Sequence, residues 1–495
     1  MFARAVCVWA VLSLAPSIVL SAEVSAETQG CLVCHETLHP GLVADWRASR
    51  HARTSVADSL ALPADERRVS VTEAPAGLSN VAVGCAECHG LRGDTHPDTH
   101  DHQGTAVHVV VTPDDCATCH PVEADQFSRN LMSQAHGNLM GNALYRDLAD
   151  VCIGTQTFSD DAVTYAPADA TTLSDACLQC HGTRVEYLGL VERDTPFGPM
   201  RLPQLAGWPN QGVGRVNPDG SKGACTACHT RHAFQIEMAR RPETCAQCHK
   251  GPDVPAYAVY QVSKHGNLYG AVGDSFDYEP VPWVVGRDVR APTCATCHAS
   301  KLASADGTII AERTHEMGDR NSWRLMGLPY GHPHPVSADT SGFRNSMGLP
   351  LPTELTGESV ASAVIGPEEQ GRRRTKMGAV CQACHSGSFV DGHFKRLDHS
   401  IQTTNAMTLA ATRVLLSAWD HGFAKGPADG DSVFNEAIEQ DWVRQWLFYA
   451  NSTRYASAMV GADYGVFANG RFYMSSNLQD MVDWLKTQMG IARQE

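Results

Sequence analysis

The chain has 495 residues and carries 54 acidic against 39 basic side chains, a formal net charge of −15 with histidine neutral. That balance excludes nonspecific nucleic-acid binding, which needs clustered positive charge to displace counterions; the one dense basic run, Arg372, Arg373, Arg374 and Lys376, reads as solvated surface. At 43% hydrophobic and 19% charged the chain is not disordered, and its length allows more than one domain.

The first predicted element is an export signal over residues 1–26. Arg4 supplies a positive start, an apolar stretch runs from Ala5 to Leu20, and small residues at Ala22 and Ala26 suit cleavage. Pro16 breaks the apolar run, which is short for a membrane span. The mature chain is therefore expected to be exported to the periplasm, or otherwise outside the cytoplasm, with no membrane span after cleavage.

From Cys31 to His385 one pattern repeats eight times, Cys-x-x-Cys-His. The pairs are Cys31/Cys34, Cys85/Cys88, Cys116/Cys119, Cys177/Cys180, Cys225/Cys228, Cys245/Cys248, Cys294/Cys297 and Cys381/Cys384. They are followed by His35, His89, His120, His181, His229, His249, His298 and His385. Residues three apart on a helical turn share a face, so both thiols reach the two vinyl groups of one porphyrin and the next residue offers its imidazole to the iron. Zinc sites and disulfides use the same cysteines, but neither requires a histidine after every pair. The pattern predicts eight covalently bound haem c groups. Cys152 is left over and reads as a buried free thiol.

Between motifs the chain is rich in Gly, Pro, Asp and Ser, which predicts short motif-bearing helices, irregular loops and a core formed largely by haem faces. The gaps 181–225 and 298–381 leave room for loops that shape a pocket. Beyond His385, segments 401–420, 432–460 and 474–490 have helical periodicity. Trp442, Trp446 and Tyr449 form a stripe on the second, with Asp431 or Ser432 as its cap. The expected fold class is mainly α: a multihaem cytochrome domain over 27–395 and a long-helix oligomerisation bundle over 396–495.

A low-spin iron takes a second strong ligand, whereas a catalytic iron keeps that position open. Fifteen histidines remain after the eight proximal ones. His51, His136, His232, His265 and His315 have the most suggestive settings; Ser133-Gln-Ala-His136-Gly-Asn and Ser263-Lys-His265-Gly-Asn resemble each other. One of His100, His102 and His108 (taken as His102) and one of His393 and His399 (taken as His393) complete seven distal ligands for eight irons, a count that hints at one open iron. The cluster His96, His100 and His102 also has the composition of a metal site.

The eight motifs resemble the octahaem hydroxylamine oxidoreductase family. So do the block Cys225-Thr-Ala-Cys228-His229-Thr-Arg-His232, the segment Thr314-His315-Glu-Met-Gly-Asp-Arg-Asn-Ser-Trp323, and the helical C-terminal end. The resemblance implies a catalytic fourth haem, five-coordinate above His181, and seven bis-histidine haems that carry electrons to a soluble c-type cytochrome. It also implies a homotrimer in which a tyrosine, here Tyr464, is bonded to the catalytic haem, and an acidic pocket residue, here Asp253. Two departures stand out: Val254 occupies the position of an expected pocket histidine, and Gly465-Val-Phe-Ala-Asn-Gly470 lacks the expected Trp-His-Gly. His332, His334 and Tyr330 are the candidates to replace the missing imidazole. Three readings follow: oxidation of hydroxylamine or hydrazine; reduction of nitrite or hydroxylamine; and a non-catalytic electron conduit with every iron saturated.

Overall fold

The computed structural model describes residues 22–159, 163–460 and 467–492. Residues 1–21 of the expected signal segment 1–26, and Tyr464, lie outside the described residues.

Short helices joined by irregular chain carry the motifs. Cys85–His89, Cys177–His181 and Cys294–His298 are five-residue helices that consist of the motif alone. Pro113–Cys116, Pro242–Ala246 and Pro367–Gln382 start at a proline, whose missing N–H is no loss in a first turn, and end inside a motif. Among the described residues sheet is confined to small pieces, four of two strands and one of three. The longest is a hairpin, Glu186–Thr195 with Gly198–Ala206, turned by Pro196 and Phe197 with Gly198 at φ +98°. It fills the gap expected to hold loops after the fourth motif. Val185, Trp208 and the Asn210–Arg215 segment then return the chain to that motif, where Val213 N donates to Cys180 O at 3.0 Å.

The C-terminal helices differ from expectation at their edges. The first runs Gly387–Asp420, capped by Ser386, whose Oγ accepts from Phe389 N at 3.4 Å. It starts inside the chain that follows the last motif and passes residues 395 and 396 without a break, so no loop marks the expected domain edge. The second begins at Ala437 rather than near 432, because Glu439 closes a capping box: its Oε2 accepts from Asn435 N at 3.1 Å and Glu436 N at 2.9 Å. Asp431 and Ser432 do not cap it. It continues through a π-helical turn, Arg444–Ala450, into Asn451–Met459. A last helix spans Gly470–Ala492.

The main apolar core lies among these helices. Trp446 is 0% exposed, and its ring meets Trp442 edge-on at 5.7 Å, with Leu415, Phe434, Ile438 and Met481 around them. Tyr449 packs on Tyr473 at 5.4 Å. A second core of Tyr260, Tyr269, Phe276, Tyr278 and Trp283 lies beside the seventh motif. Among the described residues no helix is long and apolar enough to cross a membrane.

Candidate functional site

A branched cavity of about 3440 Å³ runs through the motif region, several times the volume of an ordinary ligand pocket. All eight motif histidines line it, as do all the motif cysteines except Cys34 and Cys384. An iron held about 2 Å from each of two imidazole nitrogens sets their ring centroids roughly 6 to 6.5 Å apart. Five pairs meet that spacing: His35–His102 at 6.1 Å, His51–His120 at 6.4 Å, His89–His232 at 6.5 Å, His229–His315 at 6.3 Å and His265–His385 at 6.0 Å. His108 also approaches His89, but His89 Nδ1 donates to the His108 carbonyl at 2.8 Å, which leaves Nε2 for His232. Burial pushes His51, His229 and His232 down to about 4, so these imidazoles are neutral and free to ligate near neutral pH.

His136 and His393 are not brought to this spacing with a motif histidine. His136 Nδ1 donates to Gly182 O at 2.7 Å, while His181 Nδ1 donates to Ala135 O at 3.2 Å, so the two rings buttress each other's loops. His393 lies near His265 and His385 and bonds the Ala458 carbonyl. His334, a candidate to replace the missing imidazole, lines the cavity. Its Nε2 packs where a side chain at Gly318 would begin, beside Met317, whose carbonyl accepts from His298. Among the described residues His181, His249 and His298 have no second imidazole at ligand spacing.

The paired thiols set the order of the motifs in space. Cys31 hydrogen-bonds Cys85, Cys116 bonds Cys225, and Cys245 bonds Cys294. Cys88 lies in electrostatic range of Cys119, Cys228 of Cys245, and Cys297 of Cys381. These contacts give an unbroken line through motifs one, two, three, five, six, seven and eight. The fourth motif joins it from the side, through the hydrogen bond between Cys180 and Cys248.

The surroundings of that fourth motif are built from distant parts of the chain. Gly182 follows His181 at φ +88°, and a Cβ there would lie 2.2 Å from Arg215 N, so only glycine fits. Asp253 lines the cavity, and its charge acts on Cys177, His181 and Tyr455. Its loop is tied down by Asn451, whose Nδ2 donates to Asp253 O at 2.8 Å. Tyr455, one helical turn on, faces the cavity; burial pushes its phenol up to about 12, and the Arg324 guanidinium opposes that rise. Arg324 also lines the cavity and acts on His181, His249, His332 and His334. The pocket beside His181 therefore combines a cation, a protonated phenol and a carboxylate. Neither Arg324 nor Tyr455 was singled out from the sequence.

Of the proposed substitutes for the imidazole missing at Val254, Tyr330 is fully buried, its hydroxyl donating to Leu355 O at 2.8 Å and lying 3.0 Å from Thr412 Oγ1. His332 is 1% exposed, bonded to Pro333 O at 2.6 Å, and not among the lining residues. His334 belongs to the seventh motif's surroundings.

Paired thiols on single turns, neutral imidazoles at iron-bridging separation and one cavity that collects them fit covalently held haems. A family model described as seven times multi-haem cytochrome CxxCH matches residues 216–310. The chain is 39% identical to a solved structure described as a hypothetical multiheme protein, covering 96% of this chain and 98% of that one with a TM-score of 0.88. It shares its fold, at 19% identity and a TM-score of 0.59, with the reducing HAO-like protein complex of Kuenenia stuttgartiensis, covering 94% of this chain and 87% of that one. It is also 24% identical, over 379 residues and 74% of its length, to a probable nitrite reductase-hydroxylamine oxidoreductase fusion protein of Kuenenia stuttgartiensis. The chain spans only 35% of that relative's length.

Proposed function

Because this chain belongs to the multihaem c-type cytochromes and has the fold of hydroxylamine-oxidoreductase-like proteins, we propose that it is an exported oxidoreductase. It converts a small nitrogen compound beside His181, in the direction of reduction: nitrite or hydroxylamine to ammonium. The observation that carries this reading is the pocket's donor set. Arg324 holds a positive charge toward the cavity and Tyr455 holds a proton, while no imidazole occupies the acceptor position at Val254. A cation binds nitrite, and a protonated phenol donates to the oxygens that must leave as water. Reduction of nitrite to ammonium consumes more protons than electrons, so proton supply is the pocket's principal task. Asp253, at the cavity surface, passes protons inward from solvent.

Each haem would be held by the two thiols and the histidine of one motif. His102, His51, His232, His315 and His265 would supply second ligands to the first, third, second, fifth and eighth. A haem held by Cys177, Cys180 and His181 would supply an iron site for the substrate nitrogen and the electrons for its reduction. The bond from His181 Nδ1 to the Ala135 carbonyl sets the orientation of the imidazole and leaves its Nε2 to hold the iron that such a haem would carry. Electrons arrive from a soluble c-type cytochrome through the line of motifs.

A second reading, oxidation of hydroxylamine or hydrazine, is favoured by Asp253, a proton acceptor in the pocket, and by the resemblance of Gly461-Ala-Asp-Tyr464 to the segment that carries a cross-linking tyrosine across a trimer interface. The test is a steady-state assay of the haem-loaded protein with nitrite and with hydroxylamine, using a reduced viologen as donor and, separately, oxidised cytochrome c as acceptor. Viologen-driven ammonium formation is expected. Turnover only with the acceptor, together with a red-shifted haem band that Tyr464→Phe abolishes, overturns the reductive reading in favour of the oxidative one.

A further inference from the structure

The sequence groups His96 with His100 and His102, but the structure separates them. His102 faces His35 across the first motif's cavity, and His100 bonds the Asp98 carbonyl at 3.1 Å. His96 packs instead on His108, ring on ring at 3.7 Å and 5° from parallel. The carboxylate of Asp115 spans their edges, with Oδ1 3.1 Å from His96 Nε2 and Oδ2 3.7 Å from His108 Nε2. The two imidazoles are 0% exposed and the carboxylate 1%. One donor atom from each of the three lies within 4.8 Å of the others.

Two independent features call for a ligand. First, the hydrogen bonding is incomplete where it should be complete. Both ring nitrogens of His108, Nδ1 of His96 and Oδ1 of Asp98 have no hydrogen-bond partner, and each such buried group carries a desolvation cost. Second, the charges do not balance. Asp98, Asp115 and Asp219 have side chains no more than 2% exposed, and Arg92 is the one Lys or Arg among the described residues within ion-pair distance of any of them. Three carboxylates against one guanidinium leave −3 + 1 = −2.

We propose that His96, His108 and Asp115 hold a non-haem divalent transition-metal ion, with Asp98 as the acceptor that orients His96 through Nδ1. Two imidazoles and a carboxylate are donors for zinc and its neighbours rather than for calcium or magnesium. One dication cancels the residual charge and gives one unpartnered nitrogen of His108 a partner. The carboxylates are already positioned for it: Asp98 Oδ2 accepts from Val109 N at 2.8 Å and Val110 N at 3.0 Å, and Asp115 Oδ2 from Thr112 N at 2.8 Å. The full burial of the donors makes this a closed, structural site. It is also wired to the second motif, because the carbonyl of His108 accepts from His89 Nδ1 at 2.8 Å.

The test is elemental analysis of the haem-loaded wild-type protein, purified without chelators and measured again after dialysis against zinc chloride and gel filtration. A single divalent ion per chain in addition to haem iron is expected. The double variant His96→Gln/His108→Gln should lose it while its haem content, read as the pyridine haemochrome, stays at the wild-type value. No added ion in the wild type after zinc dialysis, or undiminished ion in the variant, overturns the proposal. Should the variant fail to mature, the X-ray absorption edge of the wild-type metal decides: imidazole and oxygen neighbours support the site, and sulfur neighbours overturn it.

Discussion

Replacing Arg324 with glutamine separates substrate recognition from electron delivery. Arg324 touches no motif thiol and supplies no iron ligand, yet its charge reaches His181, His249, His334 and Tyr455, and it is the largest charge acting on His332. A charge-assisted hydrogen bond contributes about 1.5–3 kcal/mol, which at about 1.4 kcal/mol per decade is roughly ten- to hundredfold in kcat/KM. Nitrite is an anion and loses that whole contribution, most of it as a raised KM. Hydroxylamine is neutral near pH 7 and should lose only a few-fold, so the ratio of the two kcat/KM values falls by about tenfold or more. Arg324→Lys, which keeps the charge but not the planar fork, should recover part of the nitrite activity. The assay is viologen-driven reduction of each substrate by variants matched for haem content and low-spin spectrum. Equal losses for nitrite and hydroxylamine, or none for either, refute the anion-binding role.

Four further outcomes are expected. Gly182→Ala forces a Cβ to 2.2 Å from Arg215 N at a φ of +88°, so the high-spin electron paramagnetic resonance signal should be altered or lost while the low-spin signals of the other haems persist. His102→Ala should add one high-spin iron to those of the wild type and His100→Ala should not, since His102 stands opposite His35. Acidification should convert low-spin to high-spin haem as pH falls from about 6.5 toward 4. The distal His51, held down near 4, is neutral in the fold and takes up its proton more readily when released, so its contribution is complete above its ordinary value and is lost as pH falls; an optical titration flat across that window would contradict it. Trp446→Ala, at a fully buried position, should cost about 3–5 kcal/mol; a thermal midpoint unchanged from wild type would show that this core does not support the fold.

How far the sequence could be read depended on how local each constraint is. The motifs were legible because two thioethers and an axial imidazole must come from five consecutive residues, whatever the rest of the chain does. Candidate distal partners such as His232, three residues after His229, and His315 had recognisable settings, but their pairing is set by the fold: His232 faces His89 of the second motif, not the nearby fifth. Arg324 and Tyr455 left no signature, because a pocket cation and a phenol from segments more than a hundred residues apart have no spacing to recognise. The 186–206 hairpin was missed because its two-residue turn depends on Gly198 adopting positive φ, while Pro196, Pro199 and Pro203 read as loop. The C-terminal helices were seen, but as a haem-free assembly region. Their role in fastening the Asp253 loop through Asn451 and in lining the pocket with Tyr455 appears only when the chain folds back.

The way the fourth motif joins its neighbours has a consequence for traffic. In a simple row, a reaction centre at one end has one route, and any break along it silences the enzyme. Here the fourth motif meets the sixth, between the fifth and the seventh, so on the proposed function charge could travel two ways: the longer arm toward Cys31 and the shorter toward Cys384. Losing a haem from either arm would leave the other as a detour, whereas losing the one that Cys245 and Cys248 would hold would strand the proposed centre, making that junction the network's single point of failure.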